Sequence, residues 1–403
     1  MELWLFTTRF PFGFREAFLE NELPILCERF ERVVIFPENR DGAPRELPSN
    51  CEVRVLMDDR FATMSFGMML QRFPLVIRLL RSLWSDAPSY KAFRMQWPTL
   101  RSRIAQLMQR ARVVEEEVMP AYDPATVKVY AYWTHDWVTV LGMVRTRVPR
   151  LRFFSRAHGY DVYEEQNRDR WIPFRRFQLQ HVGQVYCASR SAQEHLRAVH
   201  PALASKFELA MLGTSDHGAG PHDPSDPLKV VSCSFLIPRK RVLMLVEALS
   251  MVERPVHWTH FGGGEEEDAV RAAVARCPQH ISVDLRGMVL NKKIIAHYKS
   301  KPVDVFVHLS HLEGGVAIAI QEAASFGIPV IATDSGGVRE IMRPGTGVLL
   351  PRMATAREVA EQLNGFKDGP MYTVEFREGV RRTWNENFNA QVTFHRFVDR
   401  ILA

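Results

Sequence analysis

Short unbroken apolar runs alternate with longer amphipathic stretches along most of this chain. Leu3–Phe6 and Val33–Phe36 are apolar at every position, the pattern of strands buried on both faces of a parallel sheet. The stretch between them, from about Phe14 to Phe30, predicts a helix. Val127–Tyr132, Arg152–Ser155 and Val185–Ala188 carry the strand series through the first half. Gly213–Pro227 then breaks the pattern: it is rich in Gly, Pro, Asp and Ser, has no periodicity, and reads as a linker. Beyond it the alternation restarts with Lys229–Cys233, a helix over about Arg241–Met251, Val256–Phe261 running into Gly262-Gly263-Gly264, and Val303–Leu309. Trp384–Leu402 reads as a terminal helix. Strand–helix alternation on both sides of the linker predicts two α/β domains, each built on a parallel sheet, facing one another across a cleft.

Composition agrees with that outline and narrows the compartment. At 403 residues the chain is long for one core, and 46% hydrophobic with 24% charged residues describes an ordinary globular protein. Five cysteines (Cys27, Cys51, Cys187, Cys233, Cys277) are scattered, odd in number and never spaced C-x-x-C. They predict reduced, mostly buried thiols in a cytoplasmic protein rather than a disulfide or zinc framework. Arg9 and Pro11 interrupt the apolar N-terminus too early for a signal peptide, and no run reaches the length of a membrane-spanning helix.

Charge is unevenly placed. Residues 1–212 hold 30 Lys/Arg against 24 Asp/Glu and the remainder holds 22 of each, so the surplus of +6 lies in the first half. Residues 60–112 carry ten basic residues and one acid, Asp86, interleaved with leucines, methionines and aromatics. Such a segment suits peripheral docking at the anionic inner face of a plasma membrane. It equally suits helices whose arginines snorkel over their own core.

The densest chemistry lies between Ser310 and Glu340. Glu313 and Glu322 bracket an apolar run entered through Gly314-Gly315, and the apolar segment Ile328–Thr333 leads into a second pair, Gly336-Gly337. Glycines after an acid let a backbone approach a ligand closely and open a helix, here from about Val316 to Phe326, whose first N–H groups can meet negative charge. A sugar diphosphate fits this layout: hydroxyls for the carboxylates, phosphate for the helix start. An acid-capped buried helix fits it too.

These residues, in this order, resemble the signature of the family 4 retaining glycosyltransferases, glycosyl transferases group 1. The signature runs S-x-x-E-G, a short apolar stretch, a second E with small residues, and G-x-P-V-I-A-T-D-x-G-G-x-x-E. It falls here on Ser310, Glu313-Gly314, Glu322-Ala323-Ala324, Gly327–Asp334, Gly336-Gly337 and Glu340. Eight residues separate the two acids, one more than the family usually has, with Gly315 as the extra residue, and a proline common in that interval is missing. Ser232–Arg241 resembles the family's strand-to-helix loop for the donor diphosphate. Lys240 matches its lysine, whereas its usual arginine falls on Phe235, leaving Arg239 or Arg241 for that role. Gly263 and Met288 match positions lining the nucleotide pocket. Arg156–Asp161 resembles the H-G-x-D segment, with His158 and Asp161, and Phe10–Glu22 resembles the first loop and helix, with Gly13.

The resemblance implies the GT-B architecture, two Rossmann-like domains. It places the acceptor domain at 1–215, a linker at 216–227, the nucleotide-sugar domain at 228–385, and a terminal helix, 386–403, crossing back onto the first domain. It implies a retaining, metal-independent hexosyl transfer from a nucleotide-diphosphate sugar to a glycan or lipid-linked acceptor, in bacterial-type cell-surface polysaccharide or glycolipid synthesis, with no cofactor and no nucleic-acid partner. Glu313, Lys240 and His158 would be catalytic. Glu322, Arg239, Arg241, Gly263, Met288, Gly314, Gly315 and Val316 would bind the donor, and Gly13 with Asp161 would form the acceptor or phosphate loop. His135-Asp136 and the His308/His311 pair show no third ligand at metal spacing. Phe235 and the altered acid spacing leave open a catalytically silent nucleotide- or glycan-binding partner subunit, and the fold alone leaves open a nucleotide-sugar epimerase.

Overall fold

The protein is described by a computed structural model over residues 1–14, 16–56, 72–167 and 170–403. Arg15, and the part of the basic segment from Arg60 to Gln71, lie outside those residues. The chain forms two compact units, Met1–Ala210 with Val398–Ala403, and Met211–Phe397.

The first unit holds β1 (Glu2–Thr7), β2 (Arg32–Pro37), β3 (Cys51–Val53), β4 (Val127–Ala131), β5 (Phe154–Ala157), β6 (Gln184–Cys187) and β7 (Phe207–Leu209) in the order β3-β2-β1-β4-β5-β6-β7. The second holds β8 (Leu228–Cys233), β9 (Val256–Phe261), β10 (Ile281–Leu285), β11 (Val305–His308), β12 (Val330–Thr333) and β13 (Gly347–Leu350) in the order β10-β9-β8-β11-β12-β13. Every pairing is parallel. Helices cover both faces, which is why Leu3, Leu5, Phe6, Val33 and Ile35 are all buried and the strands read as continuous apolar runs. Each sheet reverses direction of growth once, between β1 and β4 and between β8 and β11. At each such point the connections to the two neighbouring strands run on opposite faces of that sheet, opening a crevice at the carboxyl ends of its strands.

Several elements differ from the sequence pattern for identifiable reasons. The first helix runs Leu19–Arg29 rather than from Phe14, because Gly13 and Glu16 take positive φ angles (66° and 56°) that a helix cannot accommodate. The fifth strand is Phe154–Ala157, two residues later than its apolar pattern suggested. The terminal helical stretch is two helices, Val374–Phe388 and Ala390–Leu402, broken at Asn389 (ψ 125°), where Thr214 N–H donates to the Phe388 carbonyl and Ala390 N–H to the Thr214 carbonyl. The presumed linker is tied to the second unit: Arg381 binds Asp216 at 2.6 Å and Gly220 N–H donates to the Phe326 carbonyl. Cys187 is buried, but Cys27, Cys51, Cys233 and Cys277 are only partly covered, since three of them sit near the ends of their elements. Among the described residues no helix is long and apolar enough to cross a membrane.

Candidate functional site

The crevice of the second sheet is built from the two loops that leave β8 and β11. After β8, Leu236 plugs the core and donates its N–H to the Gly263 carbonyl, a single 3₁₀ turn covers Pro238–Lys240, and a helix begins at Val242. After β11, residues 309–317 form a loop before the helix Ile318–Ser325. Backbone contacts stitch the loops together: His311 N–H and the Ser310 hydroxyl both donate to the Arg239 carbonyl, at 3.1 and 3.2 Å.

That stitching brings Lys240 onto Glu313. The Lys240 ammonium donates to Glu313 Oε1, and His308 Nε2 approaches the same oxygen at 2.9 Å. All three side chains are largely buried (12%, 13% and 4% exposed). Burial by itself raises the Glu313 carboxyl, but the Lys240 charge and the His308 hydrogen bond outweigh it and hold the group well below its ordinary value of 4.5. The folded pKa is the lower one. The stability Glu313 contributes is therefore present above 4.5 and disappears as the pH falls below it toward the folded value.

The two candidate arginines part company. Arg241 sits in the left-handed region (φ 51°) and donates to the carbonyls of Leu309 and Arg352 at 2.7 and 2.8 Å, so it braces the loops. Arg239 keeps a buried Nε with no hydrogen-bond partner. Of the pair, Arg239 has donor capacity to offer an anion.

Glycines set the loop spacing. A Cβ at Gly336 (φ 52°) would lie 2.0 Å from the Glu313 carbonyl oxygen, and one at Gly337 would lie 2.6 Å from the Gly315 carbonyl carbon. The second glycine pair therefore serves as the platform on which Glu313, Gly314, Gly315 and Val316 rest, and the helix starts two residues later than its sequence suggests. Gly262 and Gly264 do the same beneath the first loop, with Cβ positions 1.9 and 2.4 Å from the Ser234 and Leu236 carbonyls. Gly263 lies beside Met288, which is 45% exposed. Glu322 is buried on the helix Ile318–Ser325 and accepts a 2.7 Å bond from Asn291. Burial, with Glu322 close by, pushes the Cys233 thiol up to about 12. Phe235, at the arginine's family position, is exposed.

In the first unit the corresponding crevice lies at the ends of β1 and β4. Its organiser is Glu16, which the sequence reading missed. One carboxylate oxygen accepts from the N–H of Arg9 and Phe10 (2.6 and 2.7 Å), the other from Thr8 N–H (3.2 Å) and the Trp133 indole (2.6 Å). Gly13 packs on residues 41–43, and its carbonyl accepts from Arg45 at 2.7 Å. His158 follows β5, donates from Nε2 to the Tyr132 carbonyl at 3.0 Å and lies 4.3 Å from the Trp133 ring. That bond leaves Nδ1 as the acceptor. Burial and the nearby Arg156 charge push His158 down to about 3, so it is neutral at ordinary pH. Asp161 is fully buried and accepts three backbone N–H bonds, from Thr134, His158 and Gly159. It shapes the loop that carries His158 rather than reaching a ligand.

Comparisons with known proteins follow the same division. Residues 219–387 match the family model of the glycosyl transferases group 1. A GDP-mannose-dependent alpha-(1-6)-phosphatidylinositol monomannoside mannosyltransferase of Mycobacterium tuberculosis is 32% identical over 168 residues, 38% of this chain and 43% of that protein. A putative colanic acid biosynthesis glycosyltransferase of Escherichia coli is 26% identical over 179 residues, 42% of this chain and 43% of that protein. Each match spans under half of the relative's own length. An Anabaena protein, HepE, solved with UDP and glucose superimposes over 100% of this chain and 99% of its own, with a TM-score of 0.69 and 16% identity. A lipopolysaccharide outer core galactosyltransferase in its apo form does so with a TM-score of 0.67 and 15% identity, over 100% of this chain and 99% of its own. The fold is GT-B.

Two outcomes follow from this geometry. Gly336→Ala should lose at least about 2 kcal/mol of stability, from a disfavoured φ and a clash with the Glu313 carbonyl, measured by thermal unfolding. A melting temperature equal to the parent's would show that the glycine platform is unnecessary. The ring protons of His158, followed by NMR, should not titrate between pH 5 and 8, and a midpoint near the ordinary histidine value would contradict the burial argument.

Proposed function

We propose that this protein is a retaining glycosyltransferase that moves a sugar from a nucleotide-diphosphate donor to an acceptor hydroxyl. The observation that carries the reading is the Lys240–Glu313–His308 cluster at the switch point of the second sheet, with Arg239, whose Nε has no hydrogen-bond partner, next to Lys240 in the chain. The match of residues 219–387 to the group 1 glycosyl transferases supports it.

Lys240 and Arg239 would hold the diphosphate and stabilise the charge that grows on it as the bond from the sugar's anomeric carbon breaks. Those two cations supply the positive charge, so the reaction is proposed to proceed without a metal ion. Glu313, ionised and fixed by two partners, would accept hydrogen bonds from sugar hydroxyls, while the backbone of Gly314, Gly315 and Val316 lines the same position. Glu322, oriented by Asn291, would accept from the ribose hydroxyls, and Gly263 and Met288 would flank the base. The acceptor oxygen would form its new bond on the face the diphosphate leaves, passing its proton to the departing phosphate oxygen, so configuration is retained. His158, neutral and with Nδ1 as an acceptor, would bond a donor or acceptor hydroxyl.

The acceptor is proposed to be a glycan or a lipid-linked glycan in cell-surface polysaccharide or glycolipid synthesis, reached by docking at an anionic membrane surface from the cytoplasmic side. The arginines of the basic segment sort into two sets. Arg72, Arg103, Arg110 and Arg112 are ion-paired with Glu115, Asp136, Glu38 and Glu116. Arg78, Arg81, Lys91, Arg94 and Arg101 have no ion-pair partner among the described residues. Arg81 and Arg94 of this second set flank a groove of about 740 Å³ between the helices Phe73–Asp86 and Tyr90–Val113, lined by Ile77, Leu80, Trp84, Tyr90, Phe93 and Trp97. Trp84 and Tyr90 are more than half exposed. Unpaired cations around exposed aromatics match an anionic lipid surface in both charge and apolar depth.

Kinetics test the catalytic reading. Lys240→Ala should lose about 2–4 kcal/mol of transition-state stabilisation, read from kcat/KM. Glu322→Ala should mainly weaken donor binding, and Glu313→Gln should lower turnover more than nucleotide affinity. Parent-like transfer by both glutamate variants would discard this assignment of the pocket. Failure of the parent to transfer or hydrolyse any nucleotide sugar while still binding nucleotide would favour a silent partner subunit.

Vesicle co-sedimentation tests the membrane reading. Changing Arg78, Arg81 and Arg94 to Gln should weaken binding to anionic vesicles about 100-fold at low salt, since each cation near such a surface is worth about 1 kcal/mol. Equal binding to neutral and anionic vesicles, or no binding to either, would assign a soluble acceptor and leave the groove to another ligand.

A further inference from the structure

Cys27 and Cys51 are the one pair of thiols in contact with each other. Cys27 lies in the last turn and a half of the helix Leu19–Arg29, and Cys51 is the first residue of the edge strand β3. Their sulfurs are 3.0 Å apart, well inside the contact distance of two unbonded sulfurs, and both are partly accessible. The neighbouring backbone holds them there. Asn50 Nδ2 donates to the Cys27 carbonyl at 2.8 Å and to the Phe30 carbonyl at 3.0 Å, fastening the start of β3 to the end of the helix. Cys51 N–H is fixed to the Pro48 carbonyl at 3.0 Å. The remaining thiols have no such partner: Cys187 is buried, and Cys277 meets the Ser250 hydroxyl at 3.5 Å.

We propose that Cys27 and Cys51 form a reversible intramolecular disulfide, made when a hydroperoxide oxidises one of the two thiols, that staples the first helix to the edge strand of the first sheet. The sulfurs share one hydrogen bond in which either can be the donor, so whichever thiol is oxidised first has its resolving partner in contact. The thiolate of one cysteine attacks one peroxide oxygen: an S–O bond forms, the O–O bond breaks, and the leaving hydroxide takes up the proton lost from that thiol. The other cysteine's sulfur then attacks the oxidised sulfur: the S–S bond forms, the S–O bond breaks, and hydroxide leaves as water with the second thiol's proton. Two thiols and one hydrogen peroxide give one disulfide and two waters. Because the resolving sulfur is already in contact, the sulfenic acid is captured before it oxidises further. A dithiol reductant reverses the reaction by exchange.

The experiment treats the whole purified chain with a few equivalents of hydrogen peroxide, alkylates the remaining thiols, and maps peptides by mass spectrometry. The parent should lose about 2 Da, yield a linked pair of peptides containing Cys27 and Cys51, keep Cys187, Cys233 and Cys277 alkylated, and return to the dithiol form with dithiothreitol. Its melting temperature should rise on oxidation, because the bond closes a loop in the unfolded chain. Cys27→Ser and Cys51→Ser should each abolish the linked pair and instead accumulate a dimedone-reactive sulfenic acid on the cysteine that remains. Unchanged alkylation of both cysteines in the parent, or a linked peptide pair that joins other cysteines, overturns the proposal. The parent arm decides the matter even where a serine variant fails to fold.

Discussion

A largely buried ion pair, Lys240 with Glu313, fixes the chemistry of the second unit. Bringing either charge out of water alone would be costly, so each can sit at the sheet's carboxyl edge only because the other is there. The pair exists because β8 and β11 are neighbours at the point where the sheet reverses, which puts the loop after one strand against the loop after the other. His308 adds a second donor to the same carboxylate oxygen, and Gly336-Gly337 let the backbone of Glu313–Val316 approach closely enough to hold its direction. The result is an ionised carboxylate held by a fixed ammonium. A charged ligand entering such a place meets groups already oriented, with little reorganisation left to do.

The first unit solves a related problem with carboxylates turned inward. Its loops after β1, β4 and β5 expose backbone N–H groups that would otherwise be left unpaired at the end of a buried sheet. Glu16 and Asp161 each collect three of them. The two acids thereby fix the ring cluster of Trp133 and His158, with His158 held neutral by burial. Asp161, a candidate contact in the sequence, and Glu16, which the sequence did not mark, both act here as supports for the residues beside them.

Away from the sheet ends, the basic segment shows why charge counts alone say little about a surface. The nine described cations of the ten in sequence form two populations in space, four neutralised by acids from elsewhere in the first unit and five without ion-pair partners among the described residues. The helices that carry the second population also expose Trp84 and Tyr90, so apolar area and positive charge coincide on one groove.

The sequence by itself determined the architecture and marked the loops that the second sheet brings together. Apolar runs of strand length alternating with amphipathic stretches specify parallel α/β sheets, because only strands covered on both faces can be apolar at every position. The spacing of Glu313, Glu322 and the glycine pairs marked the loop after β11, and Lys240 marked the loop after β8. What only the tertiary structure decided was which groups meet. The contact of Lys240 with Glu313 spans 73 positions, that of Glu16 with Trp133 spans 117, and no local pattern encodes either. That Arg241 is consumed by loop carbonyls while the Arg239 Nε has no partner was likewise visible only in three dimensions. The close approach of Cys27 to Cys51 depended on a helix end meeting an edge strand through Asn50. Periodicity reports how each segment is covered. Partners are set by strand order, and strand order is a property of the assembled sheet.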